Sequence, residues 1–116
     1  MQKDDLVYVG HMLDMARKAI GKIQGRSRAD YDADEDLRLA LTHIVQTLGE
    51  AARRVSLPFQ QAHLEIPWRK IVGMRHKVVH DYLEVDYDLV WDVVSAELPA
   101  LVSQLEQLVP PDPSGA

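Results

Sequence analysis

Apolar residues recur at steps of three and four along most of this chain, and that spacing is typical of amphipathic helices. The first stripe consists of Leu6, Val9, Leu13, Ala16, Ile20 and Ile23. The second stripe consists of Leu37, Leu41, Ile44, Leu48, Ala51 and Val55. No segment alternates apolar and polar residues as a half-buried strand does. The pattern therefore predicts an all-α bundle of four longer helices and one short helix.

Breaks in the stripes predict where these helices end. The segment "GRSRADYDAD", residues 25–34, predicts a polar linker after the first helix. Pro67 suits the first turn of a third long helix, and Pro99 should bend or split the last one. Gly73 lies inside the third helix, where it marks either a close approach of two helices or a weak point in the helix.

The size and composition of the chain indicate one domain. A chain of 116 residues with 47% hydrophobic content can bury one core. We place the domain at residues 1–109 and expect a flexible tail, "PPDPSGA", at 110–116. With no cysteine, disulfides, thiolate chemistry and cysteine-ligated zinc are excluded. Met1 is followed by the charged "QKDD", and no apolar run approaches the ~18 residues of a membrane span, so we expect a cytoplasmic protein.

The net charge of −5 hides an uneven distribution. Residues 1–80 hold all 13 lysines and arginines against 10 acids, whereas residues 81–116 hold 8 acids and no lysine or arginine. The segment 67–80 has four basic residues, two histidines and no acid. A focused anion site fits this pattern better than a broad duplex-binding surface. On charge alone, neutralisation of the basic segment by the acidic last helix is an equally good interpretation.

The stretch "MRHKVVHDY", residues 74–82, gathers the side chains with the most evident chemistry. On a straight helix, Arg75 and His80 would be ~140° apart around the axis and ~7.5 Å apart along it. They can therefore converge on one substrate only if the helix ends or bends near Val79. The alternative is that two copies of the helix face each other across a dimer axis.

An arginine and a histidine together suit the cleavage of an RNA phosphodiester without a metal ion. Histidine titrates near neutral pH and can act as an acid or a base, and the arginine fork matches a doubly charged phosphorane. His80 lies near a predicted helix C-terminus, whose partial negative charge favours the imidazolium and hence an acid role. We expect His76, Lys77 and Tyr82 to support RNA binding.

A metal site is the competing interpretation, because His76 and His80 are four residues apart and would share one helix face. A third ligand would have to come from Glu84, His63 or His43. The sequence lacks the HExxH pattern, and Lys77 beside the pair opposes a dication. We therefore expect no metal and no other cofactor.

Three stretches together resemble a known family. Arg75 to Tyr82 matches the pattern R-x-x-x-x-H-x-Y, and it lies within "IPWRKIVGMRHKVVHDYLEVDYDLVWDVV". The preceding helix carries "LTHIVQTLGEAARRVS". Over roughly residues 32–95 the chain is similar to HEPN ribonucleases, specifically the HepT-like toxins. That family commonly has asparagine directly after the motif arginine, where this chain has His76.

The resemblance implies a dimeric HEPN bundle in which Arg75 and His80 are the catalytic residues of a metal-independent endoribonuclease at the dimer interface. It also implies a type VII-like toxin–antitoxin pair with an MNT-type nucleotidyltransferase antitoxin. Some of these antitoxins transfer AMP to the motif tyrosine, which is Tyr82 here. A non-catalytic scaffold subunit of a nucleotidyltransferase complex is the alternative, which the net acidity favours.

Overall fold

The computed structural model describes residues 3–81 and 84–109, so Tyr82 and the tail predicted at 110–116 lie outside the described residues. The helices are α1 (Lys3–Ile23), α2 (Arg28–Ala33), α3 (Glu35–Arg54), α4 (Leu57–Ala62), α5 (Trp68–Val78), α6 (Tyr87–Asp92) and α7 (Leu98–Glu106). A π-helical segment, Val93–Glu97, joins α6 to α7 without a break. Two short antiparallel strands, β1 (Val79–Asp81) and β2 (Glu84–Val85), form a hairpin after α5. The prediction of an all-α bundle with four long helical runs is confirmed, and the small hairpin is an addition to it.

Helix α3 lies at the centre of the bundle, because it packs against both α1 and α5. Every residue of its predicted apolar stripe is buried. Helix α1 buries the middle of its own stripe and also packs against α7. None of the helices in the described part of the chain is both long and apolar enough to cross a membrane.

The predicted linker at residues 25–34 is wrong in part, because it contains the helix α2. Ser27 begins this helix with a reciprocal cap: its Oγ accepts from the Asp30 N–H at 3.1 Å, and its own N–H donates to Asp30 Oδ2 at 2.9 Å. The buried Tyr31 then donates its hydroxyl to the Tyr87 carbonyl at 2.8 Å. These contacts fix α2 against α6, although its composition is polar.

Pro99 disturbs the last helix, as predicted. It lies in the first turn of α7, directly after the π-helical segment. There the Leu98 N–H donates to the Val93 carbonyl, five residues back. Because proline has no N–H to offer, the helix widens by one residue at this point and continues.

Candidate active site around Arg75

Helix α5 positions the predicted catalytic arginine. Its apolar face is anchored by four buried side chains, Trp68, Ile71, Met74 and Val78. The opposite side of its last turn exposes Arg75, His76 and Lys77. Three cationic or titratable side chains therefore reach the surface from one rigid, well-packed helix.

The helix ends just before the predicted catalytic histidine. Helix α5 stops at Val78, whose carbonyl accepts from the Asp86 N–H at 2.7 Å, and β1 begins at Val79. His80 thus belongs to an extended segment, so the separation expected on one straight helix does not apply to it. Its imidazole lies outside the described side chains. A catalytic role for His80 stays a prediction, as does any role for Tyr82.

The end of α5 at Val78 also removes the geometric argument for a metal site. His76 is on α5 and His80 is on β1, so the two histidines do not share a helix face. His63 stacks on Phe59 with the ring centroids 4.4 Å apart, and its Nδ1 lies 3.6 Å from a Glu65 carboxylate oxygen. Across the described residues, no group of three His, Asp or Glu side chains could hold a metal ion.

Helices α3 and α5 approach each other closely at Gly49. A Cβ placed at Gly49 would lie 3.2 Å from the Ile71 carbonyl oxygen and 3.8 Å from the Arg75 Cβ. A Cβ at Gly73 would meet nothing within 4 Å. The close approach that the sequence suggested for Gly73 therefore occurs at Gly49 instead.

Glu50, the next residue on α3, binds Arg75. The Arg75 Nη1 donates to Glu50 Oε2 at 2.9 Å. Arg53 donates to both carboxylate oxygens, through Nη2 at 2.8 Å and Nε at 3.2 Å, and Arg54 Nε lies 3.4 Å from Oε1. The hydrogen bond from Arg53 does most to lower the pKa of Glu50, to about 2, and Arg54 and the charge of Arg75 add to it. Glu50 is therefore ionised at neutral pH.

The sequence alone does not reveal the role of Glu50. Its pairing with Arg53 and Arg54 follows from helical spacing, since residues three and four apart face each other. Its pairing with Arg75, 25 residues further along, depends on how α3 docks against α5. Helical spacing alone carries no signal for that contact.

A shallow depression of about 430 Å³ surrounds this cluster. Its lining consists of His43, Gln46, Thr47, Glu50, Arg53 and Arg75. Lys77 lines a different, larger groove of about 1110 Å³, together with apolar residues such as Trp68 and Val72. The structure thus brings Arg75 together with one face of α3 and leaves Lys77 outside that depression.

The acidic last helical run neutralises only part of the basic segment. Lys70 pairs with Glu97 of the π-helical segment. Arg75 pairs with Glu50 of α3, and no residue of the last helical run is among its described ion-pair partners. The side chain of Arg75 is half-exposed, at 51%. Neutralisation by the acidic helix therefore applies to Lys70 and does not extend to Arg75.

Comparisons with known proteins agree with the sequence resemblance. A family model described as "Ribonuclease HepT-like" matches residues 12–108. "Putative RNase TTE0752" of Caldanaerobacter subterraneus subsp. tengcongensis is 30% identical over 102 residues, which cover 88% of this chain and 91% of that protein. "Probable ribonuclease HepT" of Thermococcus cleftensis is 33% identical over 79 residues, covering 68% of this chain and 72% of that protein.

A third relative, "Putative RNase MJ1380" of Methanocaldococcus jannaschii, is 24% identical over 105 residues, which cover 90% of this chain and 96% of that protein. No solved structure is significantly similar. The family model spans the central helix α3, the helix that carries Arg75 and the last helical run. The chain therefore belongs to the HepT-like ribonuclease family.

Proposed function

We propose that this protein is an endoribonuclease that cleaves RNA at a site built around Arg75 and His80, without a metal ion. Family membership supports the reaction class. The observation that carries the assignment of the site is the half-exposed side chain of Arg75. It is bound by Glu50 and lies in the last turn of α5, shortly before His80.

The proposed reaction uses the 2′-hydroxyl of the RNA as the nucleophile. The 2′-oxygen bonds to phosphorus as its proton is removed, and the bond from phosphorus to the 5′-oxygen breaks as that oxygen gains a proton. Arg75 binds the non-bridging oxygens, where negative charge accumulates. His80 donates the proton to the leaving 5′-oxygen. The products are a 2′,3′-cyclic phosphate and a free 5′-hydroxyl.

A homodimer can combine one residue from each copy in a single site. Water takes up the proton of the 2′-hydroxyl, so each site needs one Arg75 for the phosphate and one His80 as the acid, and a two-fold axis brings these together from different chains. In this arrangement the arginine of each chain lies near the histidine of the other. We therefore place two composite sites at the dimer interface.

The proposed biological role is that of a toxin held in check by a nucleotidyltransferase antitoxin of MNT type. Transfer of AMP to Tyr82 places a bulky phosphorylated group two residues from His80. Such a group blocks an RNA phosphate both by its size and by its like charge. Intact-mass measurement of the protein, expressed with and without the partner, should show a gain of one or more AMP units that maps to Tyr82. An unmodified Tyr82 beside an active partner would contradict this mode of control.

The test of the catalytic assignment compares His80→Ala and Arg75→Ala with His11→Ala. His11 is an exposed histidine on α1 and serves as the matched control. Both site variants should abolish the 2′,3′-cyclic phosphate product while keeping the helical circular dichroism, and His11→Ala should cleave like the wild type. Cleavage should persist in excess EDTA. Undiminished cleavage by folded His80→Ala would remove that residue from the mechanism.

A second candidate function is a non-catalytic subunit that binds a nucleotidyltransferase. The net charge of −5, and the absence of lysine and arginine from residue 81 onward, favour a protein partner over RNA. A wild-type protein that forms a stable complex with the nucleotidyltransferase but cleaves no RNA would support this candidate and contradict the first.

A further inference from the structure

We propose that Glu50 is a positioning residue for RNA cleavage: its carboxylate holds Arg75 and Arg53 side by side so that Arg75 meets the scissile phosphate in a fixed orientation. The inference rests on the proposed function and deepens it. Glu50 itself touches neither the RNA nor the reacting atoms. It acts through the arginine.

The nitrogens with which Arg75 binds Glu50 distinguish a carboxylate that positions the arginine from one that blocks it from the phosphate. Arg53 engages Glu50 with Nε and Nη2, the two-nitrogen edge that binds an oxyanion bidentately. Arg75 engages it with a single terminal nitrogen, Nη1. The Nε and Nη2 edge of Arg75 is therefore not the edge that Glu50 occupies. A carboxylate that competed with the phosphate would be expected to take that bidentate edge.

Helix α3 holds the backbone of Glu50 in a fixed position. Its neighbours Ala51 and Ala52 are buried, and Gly49 brings the α3 backbone against Ile71 and Arg75. Arg75, in contrast, extends a long and half-exposed side chain from the last turn of α5. Without a partner, such a side chain samples many rotamers, and a reactive orientation is then rarely populated.

The charge balance leaves the site attractive to RNA. Three arginines surround one carboxylate, so the cluster keeps a net charge of about +2 even with Glu50 ionised. Glu50 thus fixes the arginines without cancelling their charge. Removal of Glu50 should raise the positive charge of the site and loosen its geometry at the same time.

The gain in positive charge and the loss of fixed geometry should affect KM and kcat differently, and the test measures this difference. In steady-state cleavage of a short single-stranded RNA, Glu50→Ala should lower kcat by about 10- to 100-fold, because Arg75 is no longer held. KM should stay the same or fall, because one negative charge has gone. Glu50→Gln keeps one oxygen acceptor at the same reach, and its kcat should lie between those of Glu50→Ala and the wild type.

Glu106→Ala is the matched control. Like Glu50, Glu106 is a partly exposed carboxylate that binds an arginine, Arg17, at 2.6 Å, but it joins α7 to α1 and does not bind Arg75. Its removal should leave kcat and KM unchanged. Thermal melting of all three variants separates a loss of folded protein from a loss of rate.

Each possible result for the Glu50 variants either supports or overturns the positioning role of Glu50. An unchanged or increased kcat for Glu50→Ala overturns it, and an increase would identify Glu50 as a competitor of the phosphate. A fall in kcat that matches the fraction of unfolded protein overturns it as well. In these cases the wild type still cleaves RNA, so the proposed function stands. A wild type that cleaves no RNA overturns both.

Discussion

At the scale of single residues, the geometry around Arg75 depends on Gly49, which has no Cβ, and on the carboxylate of Glu50. Gly49 lets α3 and α5 approach, and Glu50 then reaches Arg75. The candidate catalytic arginine could be predicted from the sequence, because the R-x-x-x-x-H spacing lies in one short segment. Glu50 could not, because its contact with Arg75 exists only after two helices dock.

The glycine contact can be tested with a matched pair of substitutions. Gly49→Ala and Gly73→Ala both gain helix propensity of ~1 kcal/mol. Only the first places a Cβ 3.2 Å from the Ile71 carbonyl oxygen; the second meets nothing within 4 Å. The free energies of unfolding of the two variants should therefore differ by about 1–3 kcal/mol, with Gly49→Ala the less stable.

Urea denaturation followed by circular dichroism measures that difference. Gly49→Ala should also lower the cleavage rate more than Gly73→Ala does, because α5 carries Arg75. Equal stability of the two variants would show that the helices do not approach at Gly49 as described.

At the scale of helices and strands, periodic segments could be predicted and capped polar segments could not. The stripes on α1 and α3 follow directly from their three- and four-residue spacing. The polar residues of α2 predict a linker, whereas the helix is stabilised by the Ser27 cap and by Tyr31. The hairpin after α5 could not be predicted either, since β1 consists of only three residues and β2 of two.

Tyr31→Phe tests what holds α2 in place. The substitution removes the hydroxyl that donates to the Tyr87 carbonyl at 2.8 Å and should cost about 1 kcal/mol of unfolding free energy. Tyr87→Phe is the control, because it keeps the accepting carbonyl. Unfolding in urea at neutral pH should separate the two variants, and an equal stability would contradict the assigned role of the Tyr31 hydroxyl.

The same tyrosine predicts a dependence on alkaline pH. Burial raises the pKa of Tyr31 from 10.0 to about 12, so the folded protein keeps a proton that the unfolded chain releases. The resulting stability is fully present below pH 10 and is lost as the pH rises toward 12. Tyr31→Phe should lose less stability than the wild type across this interval when both are unfolded in urea at each pH. Parallel pH profiles would contradict the assignment.

At the scale of the whole molecule, charge is segregated along the chain. Glu97 in the acidic last helical run pairs with Lys70, whereas Arg75 pairs with Glu50 of α3. The sequence thus predicts a basic site despite the net negative charge, because all lysines and arginines precede residue 81. The geometry of the proposed dimer cannot be predicted from any single helix, because it would depend on which surfaces face each other after folding.

The proposed dimer predicts a sedimenting species of twice 13.1 kDa at micromolar concentration. Raising the salt concentration should weaken RNA binding, because the release of counterions from the phosphates gains less free energy at high salt. A species of 13.1 kDa alone would contradict the dimer.

A mixture of two inactive variants tests whether each site is shared between two chains. Arg75→Ala and His80→Ala proteins should each be inactive alone. If each site combines the arginine of one chain with the histidine of the other, a mixed dimer contains one intact site. An equimolar mixture, unfolded and refolded together, should then recover about a quarter of wild-type RNA cleavage. A mixture that stays inactive, although mixed dimers form, would contradict a site shared between two chains.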